Sequence, residues 1–136
     1  MLKDSVASKK KVLFLCVENS CRSQIAEAFA TNTCNEYFEA YSSGSKPSGV
    51  VNPKAIASMA RAGVDMSSHT SKSIRELPTR EFDLTVTMGC GDFCPEVTSK
   101  AMVDWGIPDP KFLEESEFDQ IRDLIAEKVE SLKQVV

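Results

Sequence analysis

Val12-Leu13-Phe14-Leu15 is an unbroken apolar run that ends on Cys16, and Arg22 follows after a five-residue loop. A run with no polar alternation suits a central parallel strand covered on both faces. A helical pattern begins immediately after the loop, at Ser23. A short strand-to-helix loop aims several backbone N–H groups into one concavity, and the helix dipole adds partial positive charge there. Such a cup suits a tetrahedral oxyanion. Arg22 at its rim offers a fork of donors matched to two anion oxygens. A cysteine at the floor of a cup of this kind is a candidate nucleophile, because positive fields favour thiolate over thiol. A lone cysteine after a strand is more often a small core residue. The small and polar Asn19, Ser20 and Ser23 between strand and helix favour the reactive reading here.

The chain has 136 residues, 42% hydrophobic and 26% charged, enough for one domain with a single core. Its formal net charge of -4 gives no electrostatic case for nucleic acid or an anionic membrane. No apolar run approaches the ~20 residues of a membrane span. Residues 1–10 are polar and basic and read as a frayed tail rather than a secretory signal, with the domain over 11–136. Five cysteines, an odd number, point to reactive thiols rather than a disulfide framework, and a cytoplasmic monomer is expected.

Strands are expected at Lys11–Cys16, Tyr37–Ser42, Phe82–Met88 and Ala101–Trp105. The first helix runs from about Ser23 to Thr31, with Ile25, Ala26, Phe29 and Ala30 on one side. Asn52-Pro53 starts a second, with Ile56, Met59 and Ala60 inward and Gly63 as its stop. Phe118, Ile121, Leu124, Ile125, Val129 and Leu132 recur at the spacing of a long last helix. The alternation predicts an α/β fold, a four-stranded parallel sheet with helices on both faces in a Rossmann-like three-layer arrangement. Ligands bind beyond the carboxyl ends of such strands. Cys16, the Gly89–Pro95 loop and Pro108-Asp109-Pro110 all follow strands and are expected at that edge.

The Cys16-x5-Arg22-Ser23 motif resembles the signature of the low-molecular-weight tyrosine phosphatase superfamily. Asn19-Ser20-Cys21-Arg22-Ser23-Gln24-x-Ala26-Glu27 is closer to its arsenate reductase branch, which thioredoxin regenerates. Ser42-Ser43-Gly44, Val51–Ile56, Ser68-His69-Thr70-Ser71 and Asp109-Pro110 match in the family's order. The resemblance implies an arsenate site, open to phosphate or sulfate as analogues, in the loop Val17, Glu18, Asn19, Ser20, Cys21, Arg22 and Ser23. It makes Cys16 the nucleophile and Asp109 a general acid or an aid to thiol chemistry. It further implies a relay in which Cys90 attacks Cys16 and Cys94 passes the disulfide to thioredoxin. The Gly-Cys-Gly-Asp-x-Cys-Pro form also resembles relatives served by a small thiol of the mycothiol or glutathione type. Tyrosine phosphatase activity is the third reading. Against it, Glu18 stands where such phosphatases carry glycine, and Lys111-Phe112 where they carry tyrosines.

Asn19 is expected to bond across the loop, and Ser23 to donate to Cys16. Cys21 reads as a packing residue able to pair with Cys16 under oxidation, Cys34 as a bystander and His69 as a structural hydrogen-bonding group. With one histidine in the chain and only two cysteines in the Gly89–Pro95 loop, a closed four-ligand zinc site is hard to assemble, so no metal is expected. In the family a potassium ion is held by residues matching Asn19, Glu27 and Ser42 plus an aspartate. Lys72 replaces that aspartate, which argues against potassium here.

Overall fold

The computed structural model describes residues 9–89 and 97–134. Its centre is β1 (Lys10–Cys16), flanked by β2 (Phe38–Gly44) and β4 (Leu84–Thr87), with β6 (Met102–Asp104) at the edge beyond β4. All three pairings are parallel, and the register sets Cys16 beside Gly44, Leu15 beside Thr87, and Thr87 beside Asp104. The strand ends therefore line up along one edge, and each loop leaving them starts within reach of Cys16.

β1 begins at Lys10, one residue earlier than the sequence suggests; residues 1–8 lie outside the described part. Val12 and Phe14 point into the main core, against α1 (Arg22–Thr33), α2 (Pro53–Arg61) and α3 (Glu115–Ser131). Leu13 points to the other face, where Ile74 of a one-turn 3-10 helix and Phe82 cover it. Phe118, Ile125 and Val129 are the fully buried stripe of α3, each contributing about 1.5–3 kcal/mol through the area removed from water.

Two expectations are corrected. The apolar run Phe82–Met88 is not one strand: β3 (Glu81–Phe82) pairs with β5 (Thr98–Ser99) in a separate small sheet, and only β4 joins β1. Asp83 makes the break, because its carboxylate accepts the Lys11 N–H at 2.8 Å and pairs with Lys100 at 3.3 Å. In α2 the inward stripe is Ala55, Ser58 and Met59, while Ile56 is half-buried and Ala60 exposed. Ser58 turns the stripe, since its hydroxyl donates to Asp119 at 2.5 Å and its carbonyl accepts from Arg122 at 2.8 Å, both on α3. The ends of α2 are as expected: Asn52 Oδ1 accepts the Lys54 N–H at 2.9 Å, and Gly63 closes the helix at φ +84°.

Candidate active site

The turn from β1 into α1 is shaped by where its carbonyls go. Cys16 O accepts from Ser45 N (3.2 Å), Val17 O from Lys46 N (2.8 Å), Glu18 O from Ser48 N (3.1 Å) and Ser20 O from Asn52 N (3.0 Å). Asn19 O accepts from Gln24 Nε2 at 3.1 Å, and Cys21 O takes the Ile25 N–H as the first bond of α1. Each carbonyl from 16 to 21 is thus drawn outward to a partner. In a trans peptide the N–H on the far side of the bond points the opposite way, so the loop's N–H groups turn inward. This is the concavity the sequence predicts, and Cys16 lies at its floor, buried at 3% exposure.

Asn19 is the hub of the turn. It adopts φ +52°, a left-handed conformation that asparagine tolerates better than most residues. Its Nδ2 donates to Ser23 Oγ (2.8 Å) and Ser42 Oγ (3.1 Å), and its Oδ1 accepts from Gln24 Nε2 (2.8 Å) and Lys72 N (2.9 Å). Ser23 Oγ lies 2.9 Å from Cys16 Sγ, close enough for either to donate, and the hydroxyl is the one placed to donate when the sulfur attacks as an anion. Gln24 Nε2 also reaches Thr70 O at 2.7 Å, so its Oε1 faces His69 Nδ1 at 2.9 Å. An amide oxygen only accepts, which places the proton on Nδ1 and makes His69 a buttress behind the loop.

A second network lies beside the first. Ser42 donates to Glu27 at 2.5 Å, and Lys72 Nζ sits 3.3 Å from Ser42 Oγ, 3.2 Å from Thr70 O and 3.6 Å from Glu27. Lys72 Nζ therefore brings a positive charge in among the oxygens of Ser42, Thr70 and Glu27.

Arg22 is buried, and its Nη1 donates to the main-chain oxygens of Met88 (3.1 Å) and Ile107 (2.8 Å), one from the loop after β4 and one from that after β6. Those two loops touch backbone to backbone: a Cβ on Gly89 would lie 2.7 Å from Gly106 Cα. Arg22 Nη2 lies 3.9 Å from Asp109, which is exposed at the mouth. Cys16, Val17, Glu18, Ser20, Cys21, Arg22, Asp109 and Lys111 share one cleft of about 540 Å³.

The structure thus brings Cys16, the loop from Val17 to Ser23, Arg22 and Asp109 together. Cys90 and Cys94 lie outside the described residues. Cys21 is a free thiol whose burial pushes it up to about 11, only partly opposed by the Ser20 hydroxyl. Cys34 is buried under the end of α1, away from the cleft lining. Sequence reasoning gave no role to Gln24, Gly44 or the Lys111 side chain. Gly44 has a clear requirement: a Cβ there would lie 2.5 Å from Val17 O and 2.9 Å from Asn19 N.

Comparisons with known proteins agree with this geometry. Arsenate reductase 2 of Staphylococcus epidermidis is 40% identical over 129 residues, 92% of this chain and 97% of its own length. A solved arsenate reductase in its phosphate-binding state superposes with a TM-score of 0.83 at 37% identity, covering 93% of this chain and 98% of that one. A thioredoxin-dependent arsenate reductase of Corynebacterium glutamicum gives a TM-score of 0.70 at 29% identity, over 98% of this chain and 65% of that one. The model of low molecular weight phosphotyrosine protein phosphatases matches residues 11–136, from the first strand through the last helix, and the chain belongs to that family.

Proposed function

We propose that this chain is an arsenate reductase, converting arsenate to arsenite through Cys16 and passing the resulting disulfide to thioredoxin. The observation that carries the reading is the outward turn of every carbonyl from Cys16 to Cys21, which leaves inward N–H groups and Arg22 above a buried sulfur. Relatives named arsenate reductase, aligned along nearly their full length, support the same chemistry.

Cys16 thiolate attacks arsenic and displaces one oxygen as water, giving a sulfur–arsenic(V) bond. A second thiolate, assigned to Cys90, attacks the Cys16 sulfur. The sulfur–arsenic electron pair leaves with arsenic as arsenite, and two thiols have become one disulfide. Exchange with Cys94 moves that disulfide outward, and thioredoxin supplies the two electrons that restore the thiols. Ser23 supports the Cys16 anion, and Arg22 binds the oxyanion. Asp109, beside Arg22, gives a proton to the departing oxygen. Lys72 supplies the positive charge beside the loop, so turnover proceeds without a bound alkali cation.

Steady-state arsenate reduction with thioredoxin and thioredoxin reductase, set against glutathione or mycothiol, tests the reading. Cys16→Ser abolishes reduction, and Cys94→Ala stops after one turnover. Normal turnover of Cys94→Ala with thioredoxin alone refutes the relay, and a fully active Cys90→Ala with a small thiol assigns the reductant to that class. Rates equal in potassium and tetramethylammonium buffers are expected; a potassium requirement overturns the role given to Lys72.

A further inference from the structure

Glu18 sets a carboxylate on the rim of an anion site, against the charge logic of the loop. Lys111 Nζ meets it at 2.9 Å, and the two side chains are each 39% exposed. The segment bearing Lys111 is fixed: its N–H donates to Asp109 Oδ1 at 3.0 Å, and Lys54 Nζ reaches the carbonyls of Lys111 (3.4 Å) and Leu113 (3.3 Å). Glu18 and Lys111 line the same cleft as Cys16, Arg22 and Asp109, so their ion pair joins the loop after β1 to the segment after Asp109.

We propose that the Glu18–Lys111 ion pair is a specificity strap, admitting a free inorganic oxyanion and rejecting one attached to a bulky organic group. The proposal rests on the reading that the Cys16 loop holds a tetrahedral oxyanion. An oxyanion seated in the cup directs any organic substituent outward through the cleft, whose wall includes the linked side chains. A free oxyanion has no substituent to pass and leaves the strap closed. Lys111 also neutralises Glu18, so that carboxylate does not repel the incoming anion. Exposed pairs add little to folding. The strap's effect therefore falls on ligand choice.

The test measures protection of Cys16 from iodoacetamide in the full chain by inorganic phosphate and by phenylphosphonate, matched in charge and shape but for the ring. Phosphate is expected to protect the wild type at least about ten-fold better than phenylphosphonate. Glu18→Gly, and Glu18→Gln with Lys111→Ala, are expected to narrow that ratio about ten-fold. Lys111→Ala alone weakens phosphate protection about five-fold, because it strips the carboxylate of its partner, and adding Glu18→Gln restores it. An unchanged ratio in both opened variants, or full phosphate affinity in Lys111→Ala, overturns the strap while leaving the oxyanion reading intact. If phosphate does not protect wild-type Cys16 at all, the oxyanion reading falls and the strap falls with it.

Discussion

Asn19→Ala is the sharpest probe of how the anion cup is held. The substitution removes an amide that makes four hydrogen bonds in a fully buried position. Not all four losses count equally. Ser23 keeps Cys16 as a partner, Ser42 keeps Glu27, and Gln24 keeps Thr70 and the Asn19 carbonyl. The part-buried Lys72 N–H loses its acceptor, at a cost of about 1–3 kcal/mol for an unsatisfied donor. Alanine in the left-handed conformation that Asn19 holds adds about 1 kcal/mol. The sum is about 3 kcal/mol. The single tryptophan, Trp105, packs on Phe14 with ring centroids 5.8 Å apart, so its fluorescence reports unfolding of the central strand. With a urea slope of about 2 kcal/mol per molar, the midpoint falls by about 1.5 M. Asn19→Gly relieves the backbone part and is expected to recover about 1 kcal/mol. Sulfate protection of Cys16 from alkylation drops in both, because the loop loses its brace. If Asn19→Ala unfolds within about 0.5 kcal/mol of wild type and keeps its sulfate protection, the amide does not hold the cup and the reasoning fails.

Other perturbations test separate parts of the argument. Gly44→Ala drives a methyl into the backbone of Val17 and Asn19 and is expected to cost about 1–3 kcal/mol, with oxyanion protection weakened; unchanged protection contradicts the close approach. At pH 7.5, peptide mapping after iodoacetamide should find position 16 modified well before position 21, since burial holds the Cys21 thiol up at about 11; equal labelling refutes that assignment. Asp119 is held down to about 2, first by Arg61 and with help from Ser58 and Arg122, against 3.8 for a free carboxyl. Its folded state is depressed, so the stability it lends is complete above about pH 4 and disappears as pH falls toward 2. Asp119→Asn is therefore expected to cost about 1 kcal/mol at pH 7 by urea unfolding, the usual worth of a partly solvated bidentate pair, and to converge on wild type in acid. A gap that persists undiminished at low pH assigns the effect to packing instead.

What the sequence discloses is what is local. Cys16, the loop and Arg22 are close neighbours in the chain, and the strand and helix around them are written in adjacent apolar patterns. Their geometry was therefore legible, as was the cap at Asn52-Pro53. Longer-range contacts leave fainter traces. Lys111 meets Glu18 across 93 positions, and nothing in either neighbourhood names the other. The break at Asp83 depends on the N–H of Lys11, and the turn of α2 depends on Asp119 and Arg122. A reader of apolar periodicity sees one strand and a different helix face, because the polar partners that override the pattern come from other elements. Lys72 gained meaning only through the resemblance to a family that places an acid there.

The manner of suspending Arg22 has a lasting consequence. Its hydrogen-bond tethers are a pair of uncharged peptide oxygens, so the guanidinium is aimed without a carboxylate clamp, and only the exposed Asp109 at 3.9 Å offsets the charge it offers an incoming dianion. Tethers of that sort are also indifferent to which side chains occupy positions 88 and 107. Drift at those sites leaves the aim untouched as long as the chain follows the same path, and the place where Gly89 meets Gly106 guards that path.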